Sequence, residues 1–326
     1  MTRPPPTAAD VDAARTFIGQ HLAPTPLVAS ESLSKRLGCD YRVKCESFQP
    51  VGAFKVRGAL NVVGHLSDEE LARGLISAST GNHGQAMAWA GTRFGASVVI
   101  YAPAEGANPA KLEAMERLGA EVRRHGRDFD EARVEVEEVA RREGRRYVHS
   151  ANEPELIAGA GTMAVEILEA APDTEVILVP VGGGSGAAGT CLVAKARNPA
   201  IEVIGVQSSA APAVWRAWTQ RRLDVEAEMG TSHEGLATRV PFQMPLQILW
   251  RLLDDLVLVD DGEIEEAIRW YARDARLVAE GAAAAPLAAA ARLGERLAGK
   301  RVVGVLSGGN LPLDYYAGVL AGGGDG

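Results

Sequence analysis

Short apolar runs alternate with amphipathic segments along most of this chain. After a helix predicted at 8–20 and a proline-rich turn at 24–26, the apolar segment 41–45 is typical of a short strand. Further strands are predicted at 75–78, 97–101, 121–124 and 147–149, with helices between them near 84–94, 108–118 and 128–143. Strands and helices that alternate at this spacing indicate a parallel, doubly wound sheet.

A second series of strands is richer in Val, Ile and Leu, as expected of strands that are buried on both faces. These strands are predicted at 175–181, 201–207, 256–259 and 302–306. The two series predict an α/β fold with two doubly wound lobes, and a ligand is expected in the crevice at the carboxyl ends of the strands. The alanine-rich segment 282–298 is predicted to be a helix, and the glycine-rich tail 321–326 to be disordered.

Composition narrows the class of protein. The 326 residues are 47% hydrophobic, and the net charge of -8 comes from 34 basic and 42 acidic residues that are interspersed, so no nucleic-acid partner is expected. Cys39, Cys45 and Cys191 lack a CxxC spacing, which favours core positions in a reducing cytoplasm. No apolar run suits a signal peptide or a membrane span, and the histidines lack zinc-site spacing. We therefore expect a cytoplasmic protein with no membrane partner and no metal.

The segment 45–60, CESFQPVGAFKVRGAL, places Lys55 beside Phe54 where an amphipathic helix is predicted to begin. The positive end of a helix disfavours an ammonium, so the neutral amine is favoured there. A neutral lysine among apolar groups is a nucleophile suited to Schiff-base chemistry with an aldehyde or ketone. The ordinary alternative is a surface lysine in a first helical turn, and the neighbouring residues favour the nucleophile.

The glycine-rich segment 180–190, PVGGGSGAAGT, follows a predicted strand and precedes a helix. Its backbone N–H groups are suited to hold a phosphate at the helix N-terminus. Gly184, Gly186 and Gly189 also match GxGxxG, so a dinucleotide site is an alternative, although Gln207 stands where that site needs an acid. A structural glycine-rich turn is a third interpretation.

The segment 79–91, STGNHGQAMAWAG, combines a polar turn with the start of a helix. Its N–H groups suit a carboxylate, and the Asn82 amide suits a phenolic or carbonyl oxygen. An ordinary helix cap by Ser79 or Asn82 and a packing role for His83 are the competing interpretations.

Two further positions carry candidate chemistry. Ser307, in LSGGN, follows the last predicted strand and either faces the same crevice or belongs to a plain turn. Glu280, before GAAAA, is either catalytic or a favourable charge at a helix N-terminus.

Taken in this order, GAFKVRGA, STGNHGQ, GGGSG and SGGN resemble the fold type II pyridoxal-phosphate enzymes, specifically the threonine and serine dehydratase and serine racemase family, which is tryptophan synthase β-like in fold. The GluXXGln pattern, here Glu46 and Gln49, adds to the resemblance, which covers nearly the whole chain. It implies a large cofactor-binding domain at 1–49 and 149–326, a small domain at 50–148, and a homodimer.

The resemblance also implies roles for single residues. Lys55 binds the cofactor aldehyde and takes the substrate Cα proton, Phe54 packs by the ring, Asn82 meets the 3′ oxygen, Ser307 faces the pyridine nitrogen and Gly235 lies beside the cofactor. The cofactor phosphate is held by Gly182, Gly183, Gly184, Ser185 and Gly186. The substrate carboxylate is received by Ser79, Thr80, Gly81, Asn82 and His83.

Several positions depart from the family pattern. Val51 and Ala53 stand where Thr and Ser are usual, and Ser185 replaces a fourth glycine while keeping its N–H. Gln207 and Ala213 stand where metal-stimulated relatives have acidic residues, so no divalent-ion site of that kind is expected.

The resemblance implies a pyridoxal-phosphate-dependent ammonia-lyase that converts a small β-hydroxy amino acid, foremost threonine or serine, to a 2-oxo acid and ammonia. Thr80 occupies the position of a catalytic serine in racemases and keeps a hydroxyl, so a serine racemase is a second possibility. A dehydratase of phenylserine or 3-hydroxyaspartate, an NAD-dependent oxidoreductase and a silent ligand-binding relative are also compatible with these motifs. The short segment after Asn310 predicts no regulatory domain, which suggests catabolic use.

Overall fold

The computed structural model describes residues 3–105, 109–127 and 129–322 of the chain. Its strands are β1 Leu27–Ala29, β2 Asp40–Cys45, β3 Leu75–Ala78, β4 Val98–Ala102, β5 Ala120–Arg124, β6 Arg146–Tyr147, β7 Val176–Pro180, β8 Glu202–Ser208, β9 Asp255–Val259 and β10 Arg301–Leu306. Its helices are α1 Ala8–Ile18, α2 Glu31–Leu37, α3 Lys55–Val63, α4 Asp68–Arg73, α5 Asn82–Arg93, α6 Pro109–Arg117, α7 Phe129–Glu143, α8 Pro154–Ala170, α9 Ser185–Arg197, α10 Ala213–Gln220, α11 Gln243–Leu252, α12 Asp261–Trp270, α13 Gly281–Leu293 and α14 Leu313–Ala321.

The strands form two sheets, and the predicted α/β fold with two parallel-sheet lobes is confirmed. One sheet has six strands in the order β1-β2-β10-β7-β8-β9, and the other has four in the order β5-β4-β3-β6. All pairs are parallel except β1 with β2. The four-stranded sheet lies between residues 75 and 147, inside the predicted small domain, whose boundaries stay a prediction.

The elements agree with the hydrophobic pattern to within a few residues, with two exceptions. The antiparallel β1 was not predicted, because three residues are too few to show a period. The alanine-rich helix α13 ends at Leu293, where Gly294 takes a positive φ of 37°, and a short 3₁₀ turn continues to Leu297. The predicted disorder of the tail falls mainly on residues 323–326, which lie outside the described residues.

Close glycine contacts bring three helices together beneath the sheet ends. A Cβ on Gly159 of α8 would lie 2.5 Å from the Arg57 carbonyl oxygen of α3, and one on Gly189 of α9 would lie 2.5 Å from the Gly161 nitrogen. Side chains there would force the helices apart. Because α8 is wedged between them, the first residues of α3 and α9, Lys55 and Ser185, are fixed relative to each other.

A short backbone bridge joins two segments that are far apart in sequence. The Phe54 N–H donates to the Ser307 carbonyl at 2.9 Å, the Gly309 N–H donates to the Gly52 carbonyl at 2.9 Å, and Ala53 pairs with Gly308. The segment before α3 is therefore held against the end of β10.

The three cysteines, predicted to be core residues, are buried free thiols. In the part of the chain that the structure describes, every helix is too short or too polar to cross a membrane.

Candidate active site

A cavity of about 390 Å³ opens at the carboxyl ends of strands from both sheets. It is bounded by residues that follow β3, β7 and β10 and by the first turns of α3, α5 and α9. All of the predicted site residues line it: Phe54, Lys55, Ser79, Thr80, Gly81, Asn82, His83, Gly182, Gly183, Gly184, Ser185, Gly186, Gly235 and Ser307. The structure thus brings together four motifs that are up to about 250 residues apart, while their individual roles stay predictions.

Lys55 is the first residue of α3, as the sequence predicted, and its amine reaches into the cavity. Burial lowers the pKa of this amine to about 8. The Nζ atom lies 3.4 Å from both the Ser150 carbonyl oxygen and Ser185 Oγ, and 5.3 Å from the centre of the Phe54 ring. No carboxylate among the described residues forms an ion pair with it, so a substantial fraction of neutral amine is expected near neutral pH.

The glycine loop before α9 leaves room that side chains would fill. A Cβ on Gly182 would lie 2.1 Å from the Gly235 carbonyl oxygen, and one on Gly183 would lie 3.1 Å from the Phe242 ring. Gly184 has a φ of +86°, a conformation that favours glycine, and no side chain caps the helix that begins at Ser185. The first N–H groups of α9 are therefore available to an anion.

The turn before α5 combines a structural and a ligand-facing part. Ser79 Oγ accepts hydrogen bonds from the backbone nitrogens of Gly81, at 3.1 Å, and Gly84, at 2.9 Å. The capping role weighed for the Ser79 hydroxyl is therefore present, and α5 begins at Asn82, so Asn82 is not the cap. Thr80, between them, is half-buried and borders the cavity.

The His83 imidazole faces the sheet. Its Nε2 lies 2.9 Å from Ser77 Oγ, which donates to the Val148 carbonyl at 2.7 Å, so Nε2 carries the proton. Burial, and secondarily the nearby charge of Lys55, hold the pKa of His83 well below its usual value. This side chain is a packing histidine, and only its backbone N–H is suited to meet a carboxylate.

Glu280 and Asn310 orient Asn82 from opposite sides. Asn82 Nδ2 donates to Glu280 Oε1 at 2.7 Å, and Asn82 Oδ1 accepts from Asn310 Nδ2 at 2.9 Å. Glu280 precedes α13 but makes no capping bond, and burial raises the pKa of its carboxyl from 4.5 to about 7. Of the two interpretations weighed for Glu280, a simple charge at a helix end does not match this geometry.

The cavity mouth contains residues that sequence reasoning missed. Lys111 of α6 forms an ion pair of 2.7 Å with Glu234, and the chain between α10 and α11 contributes Met229, Arg239 and Phe242. These positions have no periodic or motif signal, because only the tertiary fold brings them to the site.

The GluXXGln pair lies behind α3 rather than in the cavity. Glu46 is fully buried and binds Arg57, whose guanidinium also binds Glu166, which in turn binds Lys44. We call Lys44, Glu46, Arg57 and Glu166 the ionic network. Gln49 is buried beside it, with its Nε2 lacking a hydrogen-bond partner among the described residues.

The position considered for a divalent ion has a structural role. Gln207 Oε1 accepts from the Trp215 backbone nitrogen at 2.9 Å. Within residues 3–105, 109–127 and 129–322, no group of three or more His, Cys, Asp or Glu side chains is arranged to hold a metal ion.

The residues present fit pyridoxal phosphate. An amine of lowered pKa suits the aldehyde, and a loop with no space for a Cβ at Gly182 suits a closely approaching phosphate. The Ser307 hydroxyl, buried at the end of β10, adds a neutral polar group to the lining of the same cavity.

Known proteins agree with this assignment. A family model described as pyridoxal-phosphate dependent enzyme matches residues 18–308. The chain is 36% identical over 308 residues to the L-threonine ammonia-lyase of Thermotoga maritima, covering 94% of this chain and 76% of the relative.

Solved structures are similar over nearly the whole fold. The processed form of threonine deaminase isoform 2 from Solanum lycopersicum superposes with a TM-score of 0.91 at 28% identity, covering 100% of this chain and 97% of that one. Maize serine racemase superposes with a TM-score of 0.91 at 27% identity, covering 98% of each chain.

An α/β fold with a lysine and a glycine cradle in one crevice defines a cofactor-dependent enzyme of the fold type II architecture. The chain belongs to the family of pyridoxal-phosphate dependent enzymes. Pyridoxal phosphate is therefore its cofactor, and the dinucleotide interpretation of Gly184, Gly186 and Gly189 is wrong.

Proposed function

We propose that this protein is an ammonia-lyase that converts a small β-hydroxy amino acid to a 2-oxo acid and ammonia, with L-threonine and L-serine as leading substrates. The observation that carries the proposal is the Lys55 amine, with a pKa of about 8, in a cavity that also holds a phosphate cradle. The relatives named for threonine ammonia-lyase and threonine deaminase support the same activity.

Bound pyridoxal phosphate supplies an electron sink for the negative charge that develops at the substrate Cα. Lys55, released by the incoming substrate amine, takes the Cα proton, since its lowered pKa keeps neutral amine available near neutral pH. The turn from Ser79 to His83 offers backbone N–H groups to the substrate carboxylate, and Asn82 is oriented by Glu280 for a phenolic oxygen.

The hydroxyl of Ser307 distinguishes this site from one with a carboxylic acid. If Ser307 faces the pyridine nitrogen, a hydroxyl does not protonate that nitrogen as an acid would, so the ring is a weaker electron sink. Loss of the β-hydroxyl then competes well with reactions that need a longer-lived carbanion.

The test is a substrate panel with the reconstituted enzyme. Serine, threonine, 3-phenylserine and 3-hydroxyaspartate are each incubated with the holoenzyme, and 2-oxo acid is quantified. We expect threonine and serine to give the highest kcat/KM. Absence of 2-oxo acid with every substrate, despite stoichiometric bound cofactor, would contradict the proposal and favour a silent ligand-binding relative.

A racemase is the second candidate, because the Thr80 hydroxyl borders the cavity and a serine racemase has the same fold. Chiral analysis of the remaining serine distinguishes the two activities. D-Serine that accumulates faster than pyruvate would favour the racemase.

We further propose a cytoplasmic homodimer. The family resemblance supports the dimer, and the large exposed side chains of Phe48 and Leu313 are consistent with an interface. Light scattering of the purified protein at micromolar concentration tests the oligomeric state.

A further inference from the structure

Ser185 is the position in the cradle where this chain departs from the glycine of its family. It is the first residue of α9 and is only 2% exposed. Its Oγ lies 3.4 Å from Lys55 Nζ, and Lys55 donates in this contact. Among the described residues, no oxygen accepts the hydroxyl hydrogen of Ser185.

The hydroxyl has no evident role in the fold. The helix cap is Gly184, and no side chain makes a capping bond to the first turn of α9. An alanine at 185 would keep the backbone N–H and the helical conformation. A buried hydroxyl with an unused donor costs free energy unless a ligand accepts from it.

An anion in the cradle is the natural acceptor for this hydrogen. The hydroxyl stands beside the first N–H groups of α9, which point at the same space, and a phosphate oxygen accepts strong, charge-assisted hydrogen bonds. The other contact of the hydroxyl oxygen, with the Lys55 amine, leaves its hydrogen free for that purpose.

We propose that the Ser185 hydroxyl donates to the phosphate of the cofactor while accepting from Lys55, and so joins the amine to the anion in one hydrogen-bond chain. Ser185 is then a ligand of the phosphate beyond the backbone groups of the cradle. The proposal rests on the cofactor class and not on which amino acid is the substrate.

The test compares two probes that differ only in the phosphate. Apoenzyme of the wild type and of Ser185→Ala is titrated with pyridoxal phosphate and with pyridoxal, and each affinity is measured by equilibrium dialysis. We expect Ser185→Ala to weaken pyridoxal phosphate binding by about tenfold, the effect of losing one hydrogen bond to a charged group. Binding of pyridoxal should change by less than about twofold, since it has no phosphate for the hydroxyl to bind.

A second readout observes the phosphate directly. In the ³¹P NMR spectrum of the holoenzyme, Ser185→Ala should shift the resonance of the bound cofactor, because a donor to its oxygens is lost. An unchanged resonance would overturn the proposal even if affinity fell.

Thr190→Val is the matched control. The Thr190 hydroxyl is buried on the same helix and donates to the Gly186 carbonyl at 2.9 Å, so its removal reports general damage to α9. We expect the ratio of the two affinities to stay at its wild-type value in this variant. Urea unfolding of both apoproteins confirms that each is folded.

Two results would overturn the proposal. An equal loss for both probes in Ser185→Ala would mean that the hydroxyl acts through Lys55 or the fold, and no loss for either would mean that it does not reach the phosphate. Both results are independent of the 2-oxo acid assay, so this inference and the proposed lyase activity fail separately.

Discussion

The two sides of the first turn of α3 handle buried charge in opposite ways. Lys55 and Arg57 are two residues apart, so their side chains leave the helix in nearly opposite directions. Arg57, in the ionic network, is fully buried and binds carboxylates of Glu46 and Glu166 at 2.7 Å each. Lys55, in the cavity, has a carbonyl and a hydroxyl at 3.4 Å and no ion pair among the described residues.

The same burial has different consequences at the two places. Burial acts to raise the pKa of Glu166, yet its bonds to Arg57 and Lys44 hold that pKa below the usual value. At Lys55 burial acts without compensation and lowers the pKa to about 8. The comparison teaches that paired charges stabilise the position of α3, whereas the unpaired amine is kept for a ligand.

Removing the unpaired amine should have the largest effect on activity and the smallest on the fold. We expect Lys55→Ala to lower the rate of 2-oxo acid formation by at least about 10³-fold, because both the general base and the covalent anchor are lost. The free energy of unfolding of the apoenzyme should change by less than about 1 kcal/mol, since no ion pair is broken. Steady-state kinetics and urea unfolding measure both. A variant that retains wild-type turnover would refute the role of Lys55.

Removing a member of the ionic network should do the reverse. We expect Arg57→Met to destabilise the protein by about 3–5 kcal/mol, because it leaves two buried carboxylates without their partner. Urea unfolding of the apoenzyme measures the loss.

The control is Arg73→Met, which removes an exposed pair with Glu69 on α4. Its effect should be below about 0.5 kcal/mol. If the two variants were equally stable, the network would not hold α3.

Glu280 provides a pH-dependent test of the cavity side. Because its folded pKa of about 7 lies above the unfolded value near 4.5, the folded state keeps a proton that the unfolded chain releases between these values. The free energy of unfolding of the wild type should therefore fall with rising pH in this window, by at most about 1.4 kcal/mol per unit, and this contribution is flat above pH 7.

In Glu280→Gln the titrating proton is absent, while the amide oxygen still accepts from Asn82. The stability of the variant relative to the wild type should thus rise from pH 4.5 to 7, as followed by urea unfolding at several pH values. A constant difference across the window would show that the pKa of Glu280 is not raised.

The ion pair at the cavity mouth should have the smallest effect. Glu234 is largely exposed, so a double-mutant cycle between Lys111→Gln and Glu234→Gln should give a coupling below about 1 kcal/mol in thermal unfolding. A coupling above about 2 kcal/mol would mean that the mouth resembles the ionic network.

Much of this arrangement was predictable from local sequence. Parallel strands buried on both faces are continuous apolar runs, and a lysine at the start of a helix beside glycines has a distinct chemical meaning. The orientation of Asn82 by Glu280 and Asn310, and the pairing of Arg57 with Glu166, were not predictable. These contacts join residues about 110 to 230 positions apart, and local pattern carries no information on which polar groups will meet.

The bridge between Ala53 and Gly308 has a consequence for biogenesis. Ribosomes add roughly 5–20 residues per second, so Lys55 leaves the exit tunnel roughly 12–50 seconds before Ser307 does. During that interval the nascent polypeptide lacks one wall of its pocket. Capture of the vitamer is therefore expected to follow release from the ribosome, which makes loading a late, post-translational event.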